Sequence, residues 1–184
     1  MLKNRYKDDY TAVTYLDGNG RVVKGTRYTG DFYVLPFTKD QKKKTELVNL
    51  FFSLLLLGVF LAGGMVNQDS SHTVWIVFPY LFVFLPIGYL FVGTVSYFGV
   101  PVRMEKAAYE GSLARIRHSC LGVMVMASIS GLLDILYLVL YHENIQIGRE
   151  CLYLFCHILF LLTVAVYGRL YDRMYGKLTV EKAN

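Results

Sequence analysis

The sequence predicts an all-α, polytopic membrane protein: a four-transmembrane-helix bundle with a small N-terminal cytoplasmic β-hairpin element. Three observations support this fold class. Four long apolar runs each supply the roughly 20 residues that a helix needs to cross a bilayer core about 30 Å thick. Only short polar connectors separate the runs, and the basic residues lie almost entirely on one side of them. The spans are predicted at about residues 47–66, 74–100, 119–141 and 151–168.

The composition agrees with this division of the chain. Of the 184 residues, 54% are hydrophobic and only 18% are charged, which is apolar for a soluble domain. We therefore expect a cytoplasmic β-hairpin cap at residues 1–37, a four-helix transmembrane domain at residues 38–175 and a cytoplasmic tail at residues 176–184.

The placement of charge predicts the topology. Of 19 Lys and Arg residues, ten precede the first span, four lie between spans two and three, and four follow the last span. The predicted outer connectors are residues 67–73 and 142–150, and Arg149 is the only Lys or Arg residue in them. Basic residues are retained on the cytoplasmic face, so both termini and the middle connector are predicted to be cytoplasmic. The net charge of +5 is thereby explained without nucleic acid.

These features favour a multi-pass protein of the cell membrane. Neither outer connector contains an Asn-x-Ser/Thr glycosylation acceptor. This favours a bacterial inner membrane as the location.

The first 37 residues have the pattern of a small β element. Residues 10–16 and 21–28 are rich in Val, Thr and Tyr, and the Asp-Gly-Asn-Gly segment between them favours a tight hairpin turn. Residues 31–35 are a possible third strand, which Pro36 would end. So small a unit cannot bury enough surface to be stable alone. We expect it to lean on the membrane domain, on lipid or on a partner.

A helix is predicted to begin just before the first span. Thr38 and Gln41 have the spacing of a capping box. Lys42, Lys43 and Lys44 would then lie at the membrane surface, where each basic side chain attracts anionic lipid by about 1 kcal/mol. These three lysines are candidate lipid- or partner-facing residues.

The second span is predicted to be kinked. Pro79 and Pro86 each remove a backbone donor and clash one turn back along the helix. Kinked helices line some transport sites, although they are also common in other membrane proteins.

Further basic residues mark the inner end of the third span. Arg115 and Arg117, together with His118, are predicted to form a cluster there. The cluster is either a docking surface for a partner or phosphate, or a set of interfacial side chains that fixes the depth of the helix. The second interpretation is favoured.

Asp134 is the most informative single residue, because an ionisable group inside a span costs about 2.5–3.5 kcal/mol and normally faces the bundle interior. His157 is predicted at a similar depth in the fourth span, so the two side chains could make contact. Ser130 lies one turn from Asp134, and Ala127 and Gly131 form a small-xxx-small pair that permits close approach. The candidate intramembrane site is therefore Asp134, His157 and Ser130.

Three interpretations of this site remain open. It could be a structural clasp in which the histidine donates to the aspartate, a proton- or cation-coupled site, or, least favoured, a metal or haem site. We expect no metal and no cofactor.

The sequence predicts a non-enzymatic accessory or scaffold subunit of a membrane complex. The alternative is a small oligomeric transporter coupled to protons or cations through the Asp134/His157 pair. An enzyme is disfavoured because catalysis needs more convergent polar groups than these. The expected partners are anionic membrane lipids and either another membrane protein or further copies of this chain, with no nucleic acid.

Overall fold

The protein is described here from a computed structural model, which describes residues 5–16, 18, 21–141, 143 and 145–182. Its helices are α1 (Lys39–Gly64), α2 (Val74–Phe82), α3 (Phe84–Phe98), α4 (Lys106–Tyr109), α5 (Arg115–Tyr141) and α6 (Ile147–Tyr175). A π-helical turn, Glu110–Ala114, joins α4 to α5. The strands are β1 (Tyr10–Leu16), β2 (Val22–Tyr28), β3 (Phe32–Val34), β4 (Arg103–Glu105) and β5 (Thr179–Glu181).

Four helical segments are long and apolar enough to cross a membrane, as the sequence predicts. They are Lys39–Gly64, Val74–Phe98, Lys106–Tyr141 and Ile147–Tyr175, and the most apolar stretch of each has a mean hydropathy of 2.1 or 2.2. Each of the first, third and fourth segments is longer than its apolar run, because polar turns extend it at one or both ends. The first begins at the predicted capping box, in which Thr38 Oγ1 accepts from Gln41 N and Gln41 Oε1 accepts from Thr38 N.

The second segment is interrupted where the prolines predict a kink. Pro86 has no backbone N–H to donate to the carbonyl of Phe82, so one helical hydrogen bond is missing between them. The chain divides into α2 and α3 at Val83, which instead donates to Tyr80 O at 3.1 Å.

The four segments form a closed ring of neighbouring helices. α1 packs against α3 and α6, and α5 packs against the same two helices. Short connectors join consecutive segments, so neighbours along the chain are antiparallel. This arrangement is an up-down-up-down bundle.

Polar and apolar side chains are distributed in the bundle in the reverse of their usual arrangement in water-soluble helices. Thr45, Asn49 and Ser53 lie on the buried face of α1, while Leu47 and Phe51 are exposed. Water-soluble helices turn their apolar face inward, whereas helices in lipid expose it. The outer surface of the bundle is therefore suited to a lipid environment.

The N-terminal hairpin is present as predicted, but the third strand pairs elsewhere. β1 and β2 are antiparallel, with Tyr10 opposite Tyr28 and Leu16 opposite Val22. β3 lies instead at the centre of a separate sheet of order β4-β3-β5, antiparallel to both neighbours. This sheet joins the N-terminal segment, the middle connector and the C-terminal segment, so all three lie at the same end of the bundle, which we call the inner end.

The hairpin is attached to the middle connector by tyrosine–carboxylate contacts. Tyr10 Oη donates to Glu105 Oε2 at 2.5 Å, and this hydrogen bond raises the pKa of Tyr10 to about 12. Tyr6 Oη donates to Glu110 Oε2 at 2.9 Å, and Arg5 lies 3.3 Å from the same oxygen. The N-terminal segment thus contacts the rest of the protein through the connector between α3 and α5.

Candidate functional site

The candidate site lies at the outer end of the bundle, around Asp134 on α5. This side chain is fully buried, and neither of its carboxylate oxygens has a hydrogen-bond partner among the described residues. It lies seven residues before Tyr141, about 10 Å from the outer end of the helix. Ser130, one turn deeper, is also fully buried; its hydroxyl lies near Tyr153 but makes no hydrogen bond of normal geometry with the described residues. Buried polar groups are nearly always hydrogen-bonded, so this pair needs an explanation.

A second carboxylate, Glu150, lies in the same region at the start of α6. It is fully buried and accepts two hydrogen bonds from Ser70, from the backbone N at 2.8 Å and from Oγ at 3.0 Å. The N-terminus of α6 also favours negative charge at this position. Both carboxylate oxygens of Glu150 therefore have a hydrogen-bond donor.

The connector that carries Ser70 is tied to the start of α6 at two more points. Asp69 Oδ2 accepts from Gln146 N at 2.6 Å, and Arg149 Nη1 donates to Asn67 O at 3.1 Å. Glu150 therefore has a structural role, because it anchors the connector between α1 and α2. Ser70 also interacts with the Asp134 carboxylate, but no hydrogen bond of normal geometry joins the two side chains.

The two carboxylates interact electrostatically with each other. The negative charge of Glu150 acts on Asp134, and Ser70 also lies beside the Asp134 carboxylate. No Lys or Arg in the described part of the chain forms an ion pair with either of them. Two acidic groups thus share one buried environment without a compensating positive side chain.

His157 does not make the predicted contact with Asp134. Its Nε2 lies 2.7 Å from the carbonyl oxygen of Ala127, to which it donates. A Cβ atom at Gly131 would lie only 2.8 Å from His157 Cδ2. The small pair Ala127 and Gly131 therefore forms a notch in α5 that the imidazole fills. The prediction fails because α6 begins at Ile147, which places His157 opposite Gly131, one turn deeper than Asp134.

At the inner end, the predicted role of Lys42 is wrong. Its side chain is buried, pairs with Glu46 and donates to Tyr97 O at 3.2 Å, with Nζ 4.7 Å from the centre of the Tyr97 ring. Lys42 is on the face of α1 that turns toward α3, so it stabilises the bundle and does not face lipid or a partner.

The other predicted basic residues remain accessible at the inner end. Lys43 and Lys44 are exposed, and Arg115 is half-buried. Arg117 is exposed and lies 3.8 Å from Asp172 in a solvent-accessible ion pair. Such exposed pairs contribute little to stability.

The sequence analysis missed Glu150 and Ser70. The hydropathy pattern places the start of the fourth span at Cys151, so it leaves Glu150 in the connector before that span. The available signal was the helical spacing of Glu150, Tyr153 and His157, which places all three on one face of α6. All three are buried.

Within the described residues, no three His, Cys, Asp or Glu side chains are grouped so that they could hold a metal ion. Comparisons of the chain with protein-family models, with curated proteins and with solved structures found no match.

Proposed function

We propose that this chain is a non-enzymatic, multi-pass subunit of a membrane complex, and that it contributes Asp134 as a proton- or cation-binding group. The observation that carries this proposal is the fully buried Asp134 carboxylate, which has no hydrogen-bond partner in the described residues and lies beside the carboxylate of Glu150. In this proposal the four apolar helices cross a cell membrane, favoured to be a bacterial inner membrane, with both termini cytoplasmic.

Charge balance explains why Asp134 would bind a proton or cation. Isolating a carboxylate charge in a low-dielectric interior costs several kcal/mol unless a counter-charge is present. The two Ser70 donors each bond one oxygen of the Glu150 carboxylate, which lies in the first turn of α6. Asp134 then lies near a second acidic side chain, and the Ser70 hydroxyl near it already donates to Glu150. A proton or a small cation bound to Asp134 removes this cost.

The proposal of a subunit rests on the lack of space around this site. A cavity of about 10 Å³ lies beside Tyr153, His157 and Phe160, which is about the room that one water needs. Toward the inner end the core is filled by paired groups: Asn49 Nδ2 donates to Tyr175 Oη, and Tyr167 Oη donates to Asn49 Oδ1. The interior of the bundle therefore has no room for an ion path. In this proposal, ions reach Asp134 along an outer face of the bundle, and another chain covers that face.

The binding group can be tested with a hydrophobic carbodiimide, which modifies protonated carboxyl groups in membranes. We expect the modification at Asp134, mapped by mass spectrometry of the labelled protein. It should decrease as the pH rises and disappear in Asp134→Asn. Asp172→Asn, which removes an exposed carboxylate from α6, is the matched control and should leave the modification unchanged.

Two results would contradict the assignment of Asp134. One is the absence of modification at Asp134 over the whole range from acidic to neutral pH. The other is labelling of Glu150 in its place. Protection of Asp134 by sodium or potassium ions at constant pH would identify a metal cation as the physiological occupant, whereas indifference to both ions would identify the proton.

The alternative is a small homo-oligomeric transporter that works without a partner, and the buried acidic pair is compatible with it. Purification of the tagged chain from its native membrane in mild detergent separates the two proposals. A stoichiometric partner in the mass analysis supports the accessory subunit. A homo-oligomer without a partner supports the transporter, and ion flux in Asp134→Asn vesicles then becomes the functional assay.

A further inference from the structure

We propose that a cleft between α3 and α5 at the inner end of the bundle binds one anionic phospholipid through its phosphate. The cleft has a volume of about 470 Å³. Its walls combine an apolar surface from α3 with charged side chains from the π-helical turn and α5. The residues that carry the argument are Leu85, Pro86, Tyr89, Glu110, Arg115 and His118.

The apolar wall is suited to an acyl chain. Leu85 and Tyr89 are 60% and 62% exposed on the outer face of α3, with Pro86 between them. In the proposed membrane placement, these side chains face lipid near the middle of the second span, about 15–20 Å from its inner end. An acyl chain lying along this wall would bring its phosphate to the polar end of the cleft.

The polar end is built by the π-helical turn. Such turns have i→i+5 hydrogen bonds and often occur at functional sites. This spacing aligns Glu110 with Arg115, and His118 follows on the same face of α5. All three side chains line the cleft.

Arg115 is the group that would hold the phosphate. The competing charge of Glu110 is already engaged, since Tyr6 donates to it at 2.9 Å and Arg5 lies 3.3 Å from it. Arg115 makes no ion pair within residues 5–16, 18, 21–141, 143 and 145–182. Its planar guanidinium can bind two phosphate oxygens at once.

A second cleft, which shares Glu110 and His118 with the first, adds further basic side chains. This second cleft has a volume of about 340 Å³, and Arg5 and Arg117 also line it. An apolar wall beside arginine side chains fits a phospholipid better than a free phosphate ion, because the free ion would gain nothing from the apolar side.

Native mass spectrometry of the detergent-purified protein tests this site, with phosphatidylglycerol and phosphatidylcholine as probes. We expect the wild-type chain to retain one phosphatidylglycerol in preference to phosphatidylcholine. Arg115→Gln should weaken that retention about tenfold, because a charge-assisted, two-point contact is lost. Lys43→Gln is the control, because it removes an exposed charge at the inner end but outside the cleft. Its retention of phosphatidylglycerol should stay within about twofold of that of the wild type.

His118→Gln provides a second variant at an exposed position, in case Arg115→Gln does not fold. It should weaken phosphatidylglycerol retention in the same direction. An equal loss in Arg115→Gln and Lys43→Gln would overturn the proposal, because it would reveal general surface attraction. Displacement of the lipid by millimolar inorganic phosphate would overturn the choice of a lipid ligand.

This inference rests on the proposed membrane placement but not on ion binding by Asp134. Asp134→Asn should therefore retain phosphatidylglycerol normally. Conversely, Arg115→Gln should leave carbodiimide modification of Asp134 unchanged. The lipid site and the ion site can thus fail separately.

Discussion

At the scale of residues, the two buried carboxylates differ in what surrounds them. Glu150 receives two hydrogen bonds from Ser70 and lies at the start of a helix. Asp134 lies about two turns from the outer end of an apolar helix, and neither of its carboxylate oxygens has a hydrogen bond of normal geometry with the described residues. Glu150 therefore has a structural role, whereas the charge of Asp134 has to be neutralised by a bound proton or cation.

A substitution at Gly131 tests the contact between His157 and α5. In Gly131→Ala, the new Cβ would lie 2.8 Å from His157 Cδ2 and 3.0 Å from Nε2, so the ring must move away from Ala127 O. We expect a loss of about 1–3 kcal/mol, the usual cost of overpacking. The measurement is the thermal unfolding midpoint in detergent, which should fall.

Gly58→Ala is the control for this prediction. Gly58 lies on the exposed face of α1, and a Cβ there would meet nothing within 4 Å. Alanine should therefore maintain or slightly raise the unfolding midpoint through its better helix propensity. If Gly131→Ala is as stable as Gly58→Ala, His157 does not occupy the notch.

The sequence identifies some of these residues because their chemistry conflicts with their surroundings. Asp134 stands out as an acid within an apolar run. Lys42 cannot be distinguished from Lys43 and Lys44 without the rotation of the helix, because successive residues differ by about 100°. The residue that His157 contacts depends on where α6 begins. The hydropathy pattern predicts a start at residue 151, whereas α6 begins at Ile147.

At the scale of elements, the sequence predicts those with local signals. The capping box, the hairpin and the interruption before Pro86 all follow from residue types at fixed spacings. β4 and β5 have only three residues each and exist through their pairing with β3. A strand that depends on distant partners leaves little trace in its own sequence.

Removal of β5 tests how the inner sheet is held together. A chain that ends at Lys177 would leave β3 paired with β4 alone, and two strands of three residues are marginal. We expect faster tryptic cleavage at Arg27 and Lys39, which flank β3. The measurement is the rate of proteolysis in detergent, followed by mass spectrometry.

Glu181→Gln is the control for the truncation. It removes only the exposed ion pair with Arg103, at 3.1 Å, and keeps the strand. Exposed pairs of this kind contribute about 0–1 kcal/mol, so its proteolysis should match that of the wild-type chain. Unchanged cleavage in the truncated chain would show that β5 does not support the sheet.

At the scale of the whole molecule, two features agree with four membrane crossings. The bundle exposes its apolar side chains and buries Thr45, Asn49 and Ser53. The sheet joins the N-terminal segment, the middle connector and the C-terminal segment at one end. An even number of crossings is required for both termini to lie on the same side, which agrees with the distribution of basic residues.

The proposed function depends most on the placement of four helical segments across the membrane with both termini inside. The accessibility of single cysteines in intact cells tests this placement directly. In a background without Cys120, Cys151 and Cys156, single cysteines replace Asn67 at the outer end and Lys24 or Thr179 at the inner end. An impermeant maleimide should label Asn67→Cys in intact cells, and Lys24→Cys and Thr179→Cys only after the membrane is permeabilised. Labelling of all three positions from outside, or recovery of the chain in the soluble fraction, would contradict the account.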